Sequence, residues 1–130
     1  MNTTDLPDSP EATVLRNAYY EACLTVAQAF TNLSAATTMV LYAPSTERIA
    51  VLHKHRRLTI LALDAWCEAI TARRGGKYLV IVEQGKIHAT QVEVGVFGVH
   101  DLLALAETYR RKADNCNPVI TANVDEKAKS

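Results

Sequence analysis

The sequence predicts an α+β fold in the order α-α-β-β-α, with a long antiparallel helical hairpin, then a β-hairpin, then a third helix. Three observations predict it: an apolar seam of helical spacing before residue 42, a second helical stretch ending at Gly75-Gly76, and a run rich in β-branched residues after it. The chain has 130 residues, 48% hydrophobic and 22% charged, which is typical of one globular domain.

The first helix is expected to begin at Ser9-Pro10 and to continue to about Tyr42. Ser9 suits the N-cap, and Pro10 suits the first helical position, where no backbone N–H is needed. Its seam alternates steps of four and three residues, the spacing of a helix that packs lengthwise on another helix. The seam comprises Leu15, Tyr19, Ala22, Val26, Ala29, Leu33, Ala36 and Val40.

The second helix is expected from about Thr46 to Arg74. Pro44 disfavours helix at Ala43, and Ser45 or Thr46 can cap the next helix. The short connection makes the two helices antiparallel, so position i of the first should lie near position ~89 − i of the second.

Residues 77–97 are predicted to form the β-hairpin, with Gln84-Gly85 as its two-residue turn. Both faces of this ribbon are apolar, so we expect helices to cover one face, and the third helix, a second copy of the chain or a partner to cover the other. The third helix is predicted over about 99–115. Residues 1–8 are expected to be a flexible arm, 9–115 a single domain and 116–130 a largely disordered tail.

The bulk composition excludes several functional classes. Net charge is zero, which disfavours a general electrostatic binder of nucleic acid. No secretory signal and no membrane span is visible, and the three cysteines have no zinc or disulfide spacing, so we expect a cytoplasmic protein.

Candidate catalytic residues are few. Asp64 and Glu68 lie one helical turn apart, and His100 precedes a helix, but none has the partners that acid–base or metal chemistry needs. His53 and His55, two residues apart on a helix, point to opposite sides and cannot share a metal ion. We therefore predict no enzyme, no cofactor and no metal.

Basic residues form three clusters, at 53–57, 73–77 and 110–112. The first, HKHRR, is the candidate partner-binding site: His53, Lys54, His55, Arg56 and Arg57. The others provide secondary contacts: Arg73, Arg74, Lys77, Arg110, Arg111 and Lys112. If the three form one surface, the alternative function is a nucleic-acid-binding regulator.

HKHRR should face the Thr/Ser-rich stretch at 31–38 across the helical hairpin, and this polar, cationic end should project from the body. The sequence therefore predicts a small interaction protein, such as an adaptor, regulator or inhibitor, with a protein partner whose identity the sequence does not give. The cationic end could take either an acidic protein surface or a phosphate group. We also expect a homodimer, formed through the β-hairpin edge or the Ala-rich seam.

Overall fold

The computed structural model describes residues 10–73 and 76–116, and the side chains of these residues except 76 and 77. This part of the chain forms four helices: α1 (Pro10–Tyr42), α2 (Thr46–Arg73), α3 (Gly76–Val94) and α4 (Val99–Cys116). The arm at 1–8, the tail from 117 onward and Arg74 lie outside the described residues.

Successive helices run antiparallel. α1 packs between α2 and α4, and α3 packs on the other side of α2. In the described chain no Cα atom of α3 lies within 8 Å of one in α4. These two helices instead meet through side chains, with Nδ1 of His88 2.7 Å from Oη of Tyr109.

The predicted helical hairpin and its register agree with the structure. Nε1 of Trp66 donates to Sγ of Cys23 at 3.2 Å, and these numbers sum to 89. Near the middle of the hairpin, Oγ1 of Thr59 lies 3.3 Å from the carbonyl oxygen of Ala29. Every residue of the predicted α1 seam is buried or half-buried, because the seam packs on α2.

The predicted α+β class is wrong, because residues 77–94 are helical and the described residues contain no strand. α3 buries one side through Val82, Gly85 and Val92, at steps of three and seven residues, which is one and two turns of a helix. Gly85 is not a turn residue but lies inside this helix. Because the described residues contain no β-hairpin, they provide no sheet edge for the predicted dimer.

An aromatic cluster joins α1, α2 and α4. Trp66 of α2 and Tyr109 of α4 are fully buried, with edge-to-face rings 5.0 Å apart between centroids. Phe30 and Tyr19 of α1 lie 5.7 Å from Tyr109 and 6.1 Å from Trp66, respectively. Such ring pairs add about 0.5–1.5 kcal/mol each to the burial of their apolar area.

Local hydrogen bonds fix the start of α2 and the end of α3. Oγ of Ser45 accepts the backbone N–H of Arg48 at 3.1 Å and caps α2. Gly95, at φ 72°, ends α3; its N–H donates to Val92 O and that of Val96 donates to Gln91 O. This is the Schellman arrangement, which favours glycine at the left-handed position.

Candidate protein-binding surface

The α1–α2 hairpin extends past the rest of the molecule. The α3–α4 connection contributes Gly95 and Phe97 to a small pocket that it shares with Leu33 of α1 and Arg56 of α2. Thr37 of α1 also lines this pocket, so beyond that level α1 continues for roughly five residues and α2 for roughly ten, or about 8 and 15 Å. We call residues 35–55 the hairpin tip.

The tip exposes large apolar side chains that the sequence interpretation missed. Tyr42 and Leu41, next to the turn, are 83% and 72% exposed. Three further side chains of the tip are between 41% and 46% exposed: Met39, Ile49 and Val51. Clustered apolar exposure of this kind marks interaction sites in soluble proteins.

An open groove of about 460 Å³ lies between the two arms of the tip. Its lining is mostly apolar: Asn32, Ala35, Ala36 and Met39 from α1, with Arg48, Val51 and His55 from α2. These positions recur at three- and four-residue steps on both helices, so the groove follows the seam between them. It spans about seven residues of each helix, or roughly two turns.

The structure divides the predicted HKHRR site. His53, Lys54 and Arg57 are exposed, whereas His55 is half-buried and lines the groove. Arg56 turns toward the α3–α4 connection, where Nη2 would lie 3.2 Å from a Cβ atom placed on Gly95. The cluster therefore has three exposed side chains rather than five.

The Thr/Ser-rich stretch of α1 uses its hydroxyl groups internally. Thr31, Thr37 and Thr38 donate to carbonyl oxygens four residues earlier, at 2.8–3.0 Å. Oγ of Ser34 lies 3.3 Å from the carbonyl oxygen of Val99, at the start of α4. These hydroxyl groups form hydrogen bonds to the backbone of the protein, so the apolar groove is the more accessible feature of the tip.

The other basic clusters lie elsewhere and are engaged within the fold. Arg73 lies over the rings of Tyr19 and Tyr78, 5.3 Å from each centroid. Lys112 lies 6.0 Å from the centroid of Trp66. Arg73 is about 24 Å along α2 from Arg57, so the second cluster lies far along the helix from the first.

Two residues of the third cluster pair with one acidic side chain. Arg110 and Arg111 lie 3.3 and 3.4 Å from the carboxylate of Glu107, on the exposed side of α4. Exposed pairs of this kind contribute little stability. The side chain of Lys77 and all of Arg74 lie outside the described residues.

The catalytic candidates lie on exposed surfaces and not in an enclosed pocket. Asp64, Glu68 and His100 are exposed on the helix surfaces, and Asp101 accepts the backbone N–H of Gly98 at 3.1 Å. Among the described residues no group of three His, Cys, Asp or Glu side chains could hold a metal ion.

The pKa values of the three thiols and of the half-buried His88 disfavour chemical reactivity. Burial raises the pKa of Cys23 and Cys67, and burial with nearby Cys23 raises that of Cys116 to about 11. High thiol pKa values leave little thiolate, which is the nucleophilic form. Burial, and secondarily Lys112, lowers the pKa of His88, which bonds to Tyr109 and not to a nucleophile.

One sequence signal could have identified the exposed tip. The run MVLYAPSTERIAVL has apolar residues on both sides of a turn, more than two facing helices can bury between them.

In the described part of the chain, no helix has the length and apolar character that a membrane crossing needs. No protein-family model matches the chain, and neither a curated protein nor a solved structure is significantly similar to it.

Proposed function

We propose that this protein is a small non-enzymatic interaction module whose hairpin tip docks on a protein partner. The observation that carries the proposal is the exposure of Leu41 and Tyr42 beside an open apolar groove. An exposed tyrosine costs solubility unless a partner buries it, and aromatic residues are enriched at the centres of interfaces.

The charge of the tip, taken together with the residues that flank it, supports an acidic partner. Between residues 31 and 58 the chain has one acidic side chain, Glu47, and four permanently cationic ones: Arg48, Lys54, Arg56 and Arg57. Complementary charge accelerates encounter and fixes orientation more than it adds affinity. The exposed Lys54 and Arg57 would act in this way around an apolar contact.

Nucleic-acid binding has less support. Arg73 and Lys112 already lie on aromatic rings, and Arg110 and Arg111 pair with Glu107. Among the described residues of the three clusters, those at 53–57 are left to contact phosphate groups, and the full chain has zero net charge.

The homodimer and the cytoplasmic location remain proposals. The Ala-rich seam packs on α2 within one chain, so self-association would have to use another surface, such as the tip. The three free cysteines, with raised pKa values, suit a reducing compartment.

A photo-crosslinking amino acid placed at Tyr42 tests the proposal in cells of the source organism. The matched control is the same amino acid at Leu79 of α3, which is 65% exposed. We expect a discrete adduct with one protein from position 42, and its loss when Lys54→Glu and Arg57→Glu are added. Identical adducts from both positions, or none from position 42, would overturn the interaction module.

A further inference from the structure

We propose that the outer side of α2 binds a second copy of the chain, so that two α2 helices pack antiparallel across a two-fold axis at Leu61. This inference goes beyond the contact proposed for Leu41 and Tyr42, and it names the surface through which the homodimer would form. α2 packs on α1 and α3, and its remaining side is exposed in the described chain.

The exposed side of α2 carries a regular stripe of residues. The stripe follows alternating steps of four and three through exposed positions: Lys54, Leu58, Leu61, Ala65, Glu68 and Ala72. Leu58 and Leu61 are 45% and 62% exposed, whereas Trp66 and Ile70, on the opposite side of the helix, are fully buried. This spacing is typical of a helix that packs lengthwise on another helix, and the stripe is about 27 Å long.

The charges along this side of α2 are segregated by sign. Lys54 and Arg57 lie near one end of the stripe, and Asp64 and Glu68 lie toward the other. Side chains three or four residues apart on a helix are neighbours, so each end sets two like charges side by side. In the described chain none of these four side chains forms an ion pair, although Glu68 shares an open pocket with Lys86 of α3. Each end therefore lacks an opposite charge.

This order of charges selects a second copy in the antiparallel orientation. Lys54 and Glu68 lie seven residues before and after Leu61, so a two-fold axis there places Lys54 opposite Glu68 of the second copy. Arg57, four residues before the axis, then lies near Asp64 of the second copy, three residues after it. A parallel pair would instead set Lys54 beside Lys54, and like charges oppose association. A uniformly acidic or basic partner would be repelled at one end of the stripe.

The apolar residues of the stripe fit the same arrangement. The two copies of Leu61 meet at the axis, and Leu58 lies opposite Ala65 of the second copy. A large side chain then faces a small one, which lets the two helices approach closely. Because each copy contributes only two leucines, we expect a weak dimer with a Kd on the order of 10 μM.

Sedimentation velocity of the full-length chain over a concentration series tests the dimer. Leu61→Glu brings two carboxylates together at the axis, and Leu79→Glu makes the same change on α3 at a position of matched exposure, 65%. We expect Leu61→Glu to sediment as a monomer and Leu79→Glu to associate like the parent chain. Circular dichroism verifies that both variants keep the helical content of the parent.

A charge swap tests the antiparallel orientation. Lys54→Glu alone and Glu68→Lys alone each turn two symmetric ion pairs into repulsions, so we expect each to raise the Kd roughly tenfold. Both changes in one chain recreate the opposite charges across the axis and should restore the Kd of the parent. Such a rescue is not expected if the single variants act by damaging the fold, or if the helices pair in parallel.

The outcomes separate the dimer from the proposed function. A parent chain that is still monomeric at about 100 μM overturns the inference. So does a dimer that persists in Leu61→Glu, or a double swap that binds no better than the single variants. A dimer that is lost in Leu41→Ser with Tyr42→Ser but kept in Leu61→Glu places the contact at the tip and overturns it too. Leu61→Glu retains Lys54 and Arg57, so the adduct from position 42, read in this variant, tests the interaction module without the dimer.

Discussion

A Cβ atom on Gly85 would lie 2.6 Å from Cζ3 of Trp66, so α3 contacts the indole ring at a position with no room for a side chain. Trp66 is fully buried and cannot move away without disturbing Tyr109 and Tyr19. We therefore expect Gly85→Ala to lower the free energy of unfolding by about 1–3 kcal/mol, the usual result of overpacking a core.

Helix propensity alone predicts the opposite sign for this change. Replacing a glycine inside a helix by alanine stabilises it by roughly 0.5–1 kcal/mol where space is free. Urea unfolding of Gly85→Ala, with Gln84→Ala on the exposed side as the control, measures which effect dominates. A more stable Gly85→Ala protein would show that α3 does not approach Trp66 in this way.

The same contact explains why residues 77–94 could not be identified as a helix from the sequence. Tyr78-Leu79-Val80-Ile81-Val82 has β-branched or aromatic residues at four of five positions, and local propensity favours a strand there. Burial against α2 overrides that preference. Leu79 and Val80 remain 65% and 71% exposed, so the apolar pattern did not reveal which side is covered.

The first helical hairpin was predictable because its signals are strong and local. A regular seam, a proline in the connection and a capping Ser45 specify both helices and their register, and the sum of 89 holds for Trp66 and Cys23. The basic cluster at 53–57 was found by composition. The groove was not, because it depends on where the side chains of α1 and α2 leave space between the two helices.

Gly95 has a conformation that other residues adopt only with strain. Its φ of 72° lies in the left-handed region, and a side chain there would also approach Arg56. We expect Gly95→Ala to cost about 1–2 kcal/mol in the free energy of unfolding. Gly95→Asn should cost less, because asparagine tolerates this region better. Equal losses in urea unfolding of the two variants would place the cost in the side-chain contact and not in the backbone.

His88 makes stability depend on pH. Its pKa in the folded protein is lowered below the ordinary value of 6.5, first by burial and then by Lys112. The unfolded chain therefore binds the proton first as the pH falls through 6.5, and the free energy of unfolding decreases from that point downward. Stability from the neutral imidazole is fully present above pH 6.5.

Urea unfolding between about pH 7.5 and pH 5.5 measures this dependence, in a window above the ordinary titration of carboxylates. In His88→Gln the decrease should be smaller, whatever the change in absolute stability. Tyr109→Phe removes the phenol that lies 2.7 Å from Nδ1 and keeps the ring, so it separates burial from the hydrogen bond. Identical slopes for the wild type and His88→Gln would contradict this role.

The three cysteines should be slow to react in the folded protein. Cys23 is fully buried, and the pKa of Cys116 is raised to about 11, so both lack thiolate near neutral pH. We expect iodoacetamide at about pH 7.5 to label the native chain far more slowly than the same chain in urea, as read by intact mass. Labelling of Cys67 in the folded state at the rate of the unfolded chain would contradict its raised pKa.

The exposed apolar residues of the tip should matter for binding and not for stability. Leu41→Ser with Tyr42→Ser removes side chains that are 72% and 83% exposed, so the free energy of unfolding should change by no more than about 0.5 kcal/mol. Leu79→Ser with Val80→Ser, on α3, is the matched pair. With a photo-crosslinker at Met39, we expect the first pair to reduce the partner adduct severalfold and the second to leave it unchanged. A loss of stability above about 1 kcal/mol in the first pair would mean that the fold already buries these side chains, and the tip would then have no apolar surface to offer a partner.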